Sequence, residues 1–148
     1  MSTYPVWWNE TLTIYNRYED AQTHVVTWFR HVVTNCFWKD AGVKVTVGNT
    51  VLETNDLICR IPEKAEFLPY FEWVAKPSDV KPNYFTLSYH DIIVRGAVDD
   101  VINEHSTGHR SSDLLNKYKA LQGCMQINKF AINTGAGRGE PHYYVRGV

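Results

Sequence analysis

Residues 135–139 hold three glycines around Arg138, inside the closing stretch NTGAGRGEPHYYVRGV. A glycine-rich loop can cradle a phosphate on its backbone N–H groups. A Walker-type loop needs a Lys followed by Ser or Thr and then a helix, whereas Arg138 is followed by Gly139, Glu140 and Pro141 and then by strand-forming residues. No βαβ pattern surrounds the glycines, so the dinucleotide fingerprint fails as well. The stretch reads as a hairpin tip with Arg138 exposed to a partner or to DNA. His105 and His109 have the i, i+4 spacing of some zinc sites, but Gly108 lies between them and no third ligand is evident. Asp99 and Asp100 are adjacent, which points them apart and suits a turn better than an acid–base pair. His90 and Asp91 diverge in the same way, so no Ser-His-Asp arrangement can be assembled. Cys36, Cys59 and Cys124 are widely spaced inside apolar runs and read as buried free thiols. No catalytic constellation emerges, and neither a metal nor a cofactor is expected.

The elements that must position such residues are mostly strands. TLTIYN (11–16) alternates, with Leu12 and Ile14 on a buried side and Thr11 and Thr13 opposite. RYEDAQT (17–23) is polar and turn-like. Residues 24–40, rich in β-branched and aromatic side chains, predict a long strand broken by a bulge near Arg30 and His31. Val43, Val45 and Val47 alternate with Lys44 and Thr46, and Gly48–Thr50 makes a turn. DLICRIP (56–62) is the next strand, stopped by Pro62. Residues 63–83 carry Pro69, Pro77 and Pro82 among Phe67, Tyr70, Phe71 and Trp73, which predicts a long loop with aromatic anchors. A buried run from Ile92 to Val94 ends at Gly96. SSDLLNKYKALQG (111–123) is the best helix, capped by Ser111 or Ser112 and ended by Gly123, with Leu114, Tyr118 and Leu121 on one face. Residues 124–133 and 142–148 are strands flanking the glycines.

These elements predict a mainly β chain: a small antiparallel barrel or sandwich with one short helix at about 111–122 and a long loop at about 63–83. An extended arm, residues 1–10, precedes a single domain over 11–148. Trp7 and Trp8 on that arm want burial on this domain or on a neighbour.

The net charge of −1 gives no bulk pull toward nucleic acid or membrane. Beneath it lies an asymmetry. Residues 1–104 carry 9 Lys/Arg against 14 Asp/Glu, and residues 105–148 carry 6 against 2. An acidic body with a basic end suits head-to-tail pairing of copies. The opening residues lack the basic and apolar regions of a signal peptide, and no apolar run reaches the length of a membrane span.

Five stretches in order carry a resemblance: LTIYNRYED, VTWFRHVVTNCFWKD, LICRIP, FTLSYHDIIVRGAV and PHYYVRGV. Together they resemble a family of small structural proteins of tailed phages and prophages that join head to tail. The resemblance implies a neck component of the virion, above all the head-closure or stopper ring between portal or adaptor and tail, assembled in the bacterial cytoplasm. It implies a six- or twelve-fold ring of copies as partners, together with portal, adaptor and tail proteins, and packaged DNA held without sequence specificity. It implies no membrane partner. A portal adaptor or tail terminator is the nearest alternative, although such proteins carry more helix than this chain predicts. A soluble barrel-type binding module outside any virion is the other. On the neck reading Trp7, Trp8, Phe67, Tyr70, Phe71 and Trp73 are interface anchors, and Arg138 faces the DNA channel or a partner.

Overall fold

A computed structural model describes residues 7–48, 50–119, 123–133 and 141–148, with the backbone alone for 40–47, 50–56 and 119. Strands β1 (Glu10–Glu19), β2 (Val26–Val47) and β3 (Thr50–Pro62) come first. They are followed by helix α1 (Tyr70–Val74), strand β4 (Ile92–Arg95), helix α2 (Ser111–Lys119) and strands β5 (Cys124–Asn133) and β6 (His142–Gly147). Every strand pair is antiparallel, and the order β1-β2-β3-β6-β5-β4 returns to β1, so the sheet closes on itself as a barrel.

The predicted break in the second strand is corrected. β2 runs unbroken through Arg30 and His31, and its irregularity lies further on, where Thr11 faces both Thr34 and Asn35. Asn35 takes a left-handed φ of +59°, which Asn tolerates better than a β-branched residue. The bulge lets one strand serve two partners. Residues 26–36 pair with β1, and residues 37–47 pair with β3. For the same reason 43–47 is the far half of β2 and not a strand of its own. The turn after it is tighter than predicted, with Gly48 at φ +61°, since Val47 already pairs with Thr50. Residues 17–19, expected in a turn, still belong to β1, and the turn occupies 20–25. β3 begins at Thr50 rather than Asp56.

Leu12, Ile14, Val33, Cys36, Trp38, Cys59, Ile61, Met125, Ile127 and Val145 fill the barrel. The expected polar face of β1 is buried as well. Thr13 and Tyr15 are both below 2% exposed, because residues 96–118 lie across that side. Thr13 donates to the Gly96 carbonyl and accepts from Val98 N–H, and Tyr15 donates to the Asp100 carbonyl at 2.6 Å. Tyr15, Ile92, Val94, Ile102, Leu114 and Cys124 form this second core beneath α2. Neither serine caps α2. Asp113 accepts from Arg110 N–H, and Glu104 accepts from Ser111 N–H, so carboxylates satisfy the first donors of the helix. Gly123 N–H closes the other end on the Tyr118 carbonyl at 3.0 Å.

The 63–83 segment is more ordered than a loop. It folds into α1 and a 3-10 turn at Lys81–Asn83, and it caps one end of the barrel. Trp73 is fully buried there, edge-on to Tyr18 and Phe29. Lys81 is 2% exposed. Its ammonium lies 4.4 Å from the centre of the Tyr18 ring and donates to the carbonyls of Val74 and Lys76. A cation over aromatic faces with two carbonyl acceptors is a stable burial for a lysine lacking a carboxylate.

Candidate functional site

The two sides of the barrel differ. The outer surface of β1 and β4 is covered by α2 and the segment leading to it. The same segment reaches Trp28 and Arg30 on β2 and Cys124 on β5, but from Phe37 onward in β2, along β3 and β6, and from Lys129 onward in β5, the described residues other than Trp8 give the outer surface no such cover. Side chains alternate along a strand, so every second residue of each strand points outward here. The register sets them in rows. Phe37, Arg60, Tyr144 and Ala131 lie side by side across the four strands. Two residues along each strand, the next row is Lys39, Ile58, Arg146 and Lys129. On the other side of the first row lie Pro62, His142 and Asn133. No carboxylate belongs to these three rows.

The middle row is a built arrangement. The Arg60 guanidinium lies 5.1 Å from the Phe37 ring centre and 5.7 Å from that of Tyr144. A guanidinium set over two rings keeps its charge while it packs against them. Trp8 folds down onto the end of this row, 6.3 Å from Phe37 and edge-on to His142 at 5.8 Å. Lys39 and Lys129 are exposed beside it. The sequence hides this face because its members are far apart in the chain and only strand register gathers them.

The predicted interface residues separate into two groups. Trp7 is 63% exposed, Phe71 71% and Tyr70 45%, so these three present aromatic surface. Trp73 does not, because it plugs the barrel end. Phe67 is also largely inward, stacked on Tyr143 at 4.2 Å and bridged to Phe85. Trp8 is half-buried. Arg138 lies outside the described residues. The glycine-rich stretch does join two antiparallel partners, since Asn133 pairs with His142, and Pro141 leads into a strand.

The other chemistry-bearing residues are spoken for. An open cleft of about 470 Å³ lies between 99–101 and α2. Asp100 there accepts from Lys117 at 2.9 Å and Tyr118 at 2.8 Å, and Asp99 meets Arg30 at 3.3 Å. The Lys117 hydrogen bond holds the Asp100 carboxyl below its usual range. His109 contacts Ser106. Among the described residues no group of three or more His, Cys, Asp or Glu could hold a metal. The three cysteines are buried and unbridged. Desolvation pushes the Cys36 thiol up to about 12 and that of Cys59 well above its ordinary value, so both stay protonated at neutral pH.

Among the described residues Asp91 is the one carboxylate sealed inside. His90, at φ +75°, turns the chain so that Asp91 points inward, where it accepts from Asn16 Nδ2, Arg17 N–H and Ser88 N–H. Asn16 also bonds both backbone groups of Thr86. This network ties residues 86–91 to β1. Burial pushes Asp91 up to about 7 in spite of its three donors.

The arrangement defines a closed antiparallel β-barrel with one covered side, one capped end and one sheet whose outer rows are basic and aromatic. Over residues 7–148 the chain belongs to the family of unknown function DUF6751. No curated protein and no solved structure matches it. Among the described residues no helix is long and apolar enough to cross a membrane.

Proposed function

We propose that the chain is a structural protein of the phage head–tail connector. In this reading it is the stopper ring that closes the filled head, retains packaged DNA and docks the tail. It acts in the virion neck after assembly in the bacterial host, through contacts with its own copies, with portal or adaptor protein and with tail proteins. Such an assembly role needs no reacting group.

The observation that carries the reading is that one small barrel offers two dissimilar contact surfaces. A ring of identical copies uses a head-to-tail interface, so each copy must present two different patches. One is the knob on the capped end, where Tyr70 and Phe71 are exposed. The other is the far half of the β2–β3 hairpin. Residues 41–47 and 50–56 pair with each other, and no described strand pairs with either of their outer edges. A two-stranded ribbon is marginal alone in water and gains from a partner along an open edge. The ordered set of five motifs and the acidic and basic halves of the sequence support the same reading.

The test is mass spectrometry and immuno-labelling of purified particles from the phage or prophage that carries the gene. Label at the head–tail junction, at six or twelve copies per particle, is the expected result. Absence from finished particles sinks the proposal and leaves a barrel-type binding module.

A further inference from the structure

We infer that the outer face carrying these rows is a binding surface for single-stranded nucleic acid, with Lys39, Lys129 and Arg60 taking the phosphates and Phe37 and Tyr144 stacking against bases. The inference stands on the sheet alone and does not require the chain to be a neck protein.

Three features argue for it. The first is charge. The chain as a whole is at −1, yet two adjacent rows of one sheet gather Lys39, Lys129 and Arg60, with no acid in either row. Such a local concentration of cations matches a polyanion. The second is shape. Neighbouring strands lie about 4.8 Å apart, and residues two apart on a strand about 6.7 Å. The lysine row and the ring row are therefore parallel tracks separated by the second distance, which is comparable to the reach from a phosphate to its base. Along each track the four strands span about 14 Å, room for a few nucleotides. The third is chemistry. Phe37 and Tyr144, with the Arg60 guanidinium over their rings, bring into one row the kinds of group on which unpaired bases stack. A duplex hides its base faces and would engage the charges alone, so the ring track selects the single strand. An acidic protein surface would use the charges equally well, but it has no call on flat rings laid beside them.

Fluorescence anisotropy with a labelled mixed-sequence 20-nucleotide DNA strand, beside the matching duplex, tests the inference. The expected result is tighter binding of the single strand, weakening with salt at a slope near −0.7 per phosphate engaged, or about −2 for three cations. The K39E/K129E double variant should weaken binding at least about tenfold. Tyr144→Ala should weaken it about five- to a hundredfold for one lost stack. Lys76→Glu, on the capped end, should leave it unchanged. A second measurement needs no variant: bound oligonucleotide should protect Lys39 and Lys129 of the native chain from acetylation, and should not protect Lys76. Absence of binding at 50 mM salt overturns the inference. So does duplex binding equal to or tighter than that of the single strand, or indifference to K39E/K129E. A change of mass in light scattering for K39E/K129E, with no oligonucleotide bound by the native chain, overturns it in favour of a contact between copies. Failure of any of these arms leaves the particle-labelling experiment untouched.

Discussion

At the scale of single residues, Asp91 carries the clearest consequence. Its carboxyl is raised from 3.8 to about 7 by burial. The folded state therefore holds a proton that the unfolded chain has already released. Stability from this group is fully present below pH 3.8 and is lost as pH rises from there to about 7, beyond which it is flat. A shift of about three pH units corresponds to roughly 4 kcal/mol across that window. Asp91→Asn cannot ionise. Urea denaturation at pH 4 to 8 should show the native chain losing stability against the variant as pH rises, and parallel profiles for the two would refute the assignment. The same scale separates Trp73 from Phe71, two residues apart in α1. Trp73 fills the barrel end, so Trp73→Ala should cost about 3–5 kcal/mol in urea denaturation. Phe71→Ala removes an exposed ring and should stay within about 0.5 kcal/mol of the native chain. In the neck reading it nonetheless lowers incorporation into particles. Normal incorporation of Phe71→Ala would remove Phe71 from the contact surface.

At the scale of elements, the bulge in β2 decides the architecture. Asn35 holds a left-handed backbone at the point where the strand leaves β1 and takes up β3. Asn35→Gly should be close to neutral, whereas Asn35→Val should cost about 1–2 kcal/mol, read from denaturation midpoints; equal midpoints would show that the bend does not depend on that conformation. The strands, α2 and the final hairpin were legible in the sequence, because alternation and helical periodicity are local signals. The position of the bulge was not, since it depends on which partner each half of β2 meets. The second buried face of β1 was equally invisible, because its cover comes from residues more than eighty positions away. α1 is one turn long and starts after Pro69, too short to show periodicity among the aromatics of its segment. The candidate site was the least legible of all. Trp8 was marked for burial, yet Phe37, Arg60 and Tyr144 look like ordinary strand residues until register aligns them.

At the scale of the whole molecule, the barrel divides its labour by side. α2 and the segment before it seal one sheet, the 63–83 segment seals one end, and the remaining sheet keeps its charges and rings outward. A chain so close to neutral thus carries, on one sheet, two adjacent rows whose only charged members are basic. The arrangement also assigns different work to different aromatics. Trp73, Phe67 and Phe85 hold the fold, while Phe37 and Tyr144 flank a charge at the surface.

The strand order has one more consequence. β6 is made last among the six and sits between β3 and β5. A ribosome must therefore release residues 142–147 before the ring can shut. Until then the nascent chain holds two long strands with open sides facing one another across a gap. A backbone so exposed is sticky, and chaperone demand during synthesis should peak in that interval and fall away once the sixth strand slots in. The fit is close at that seam. A Cβ on Gly147 would come within 2.3 Å of the Gln126 carbonyl oxygen, so the final strand enters only with glycine at that position.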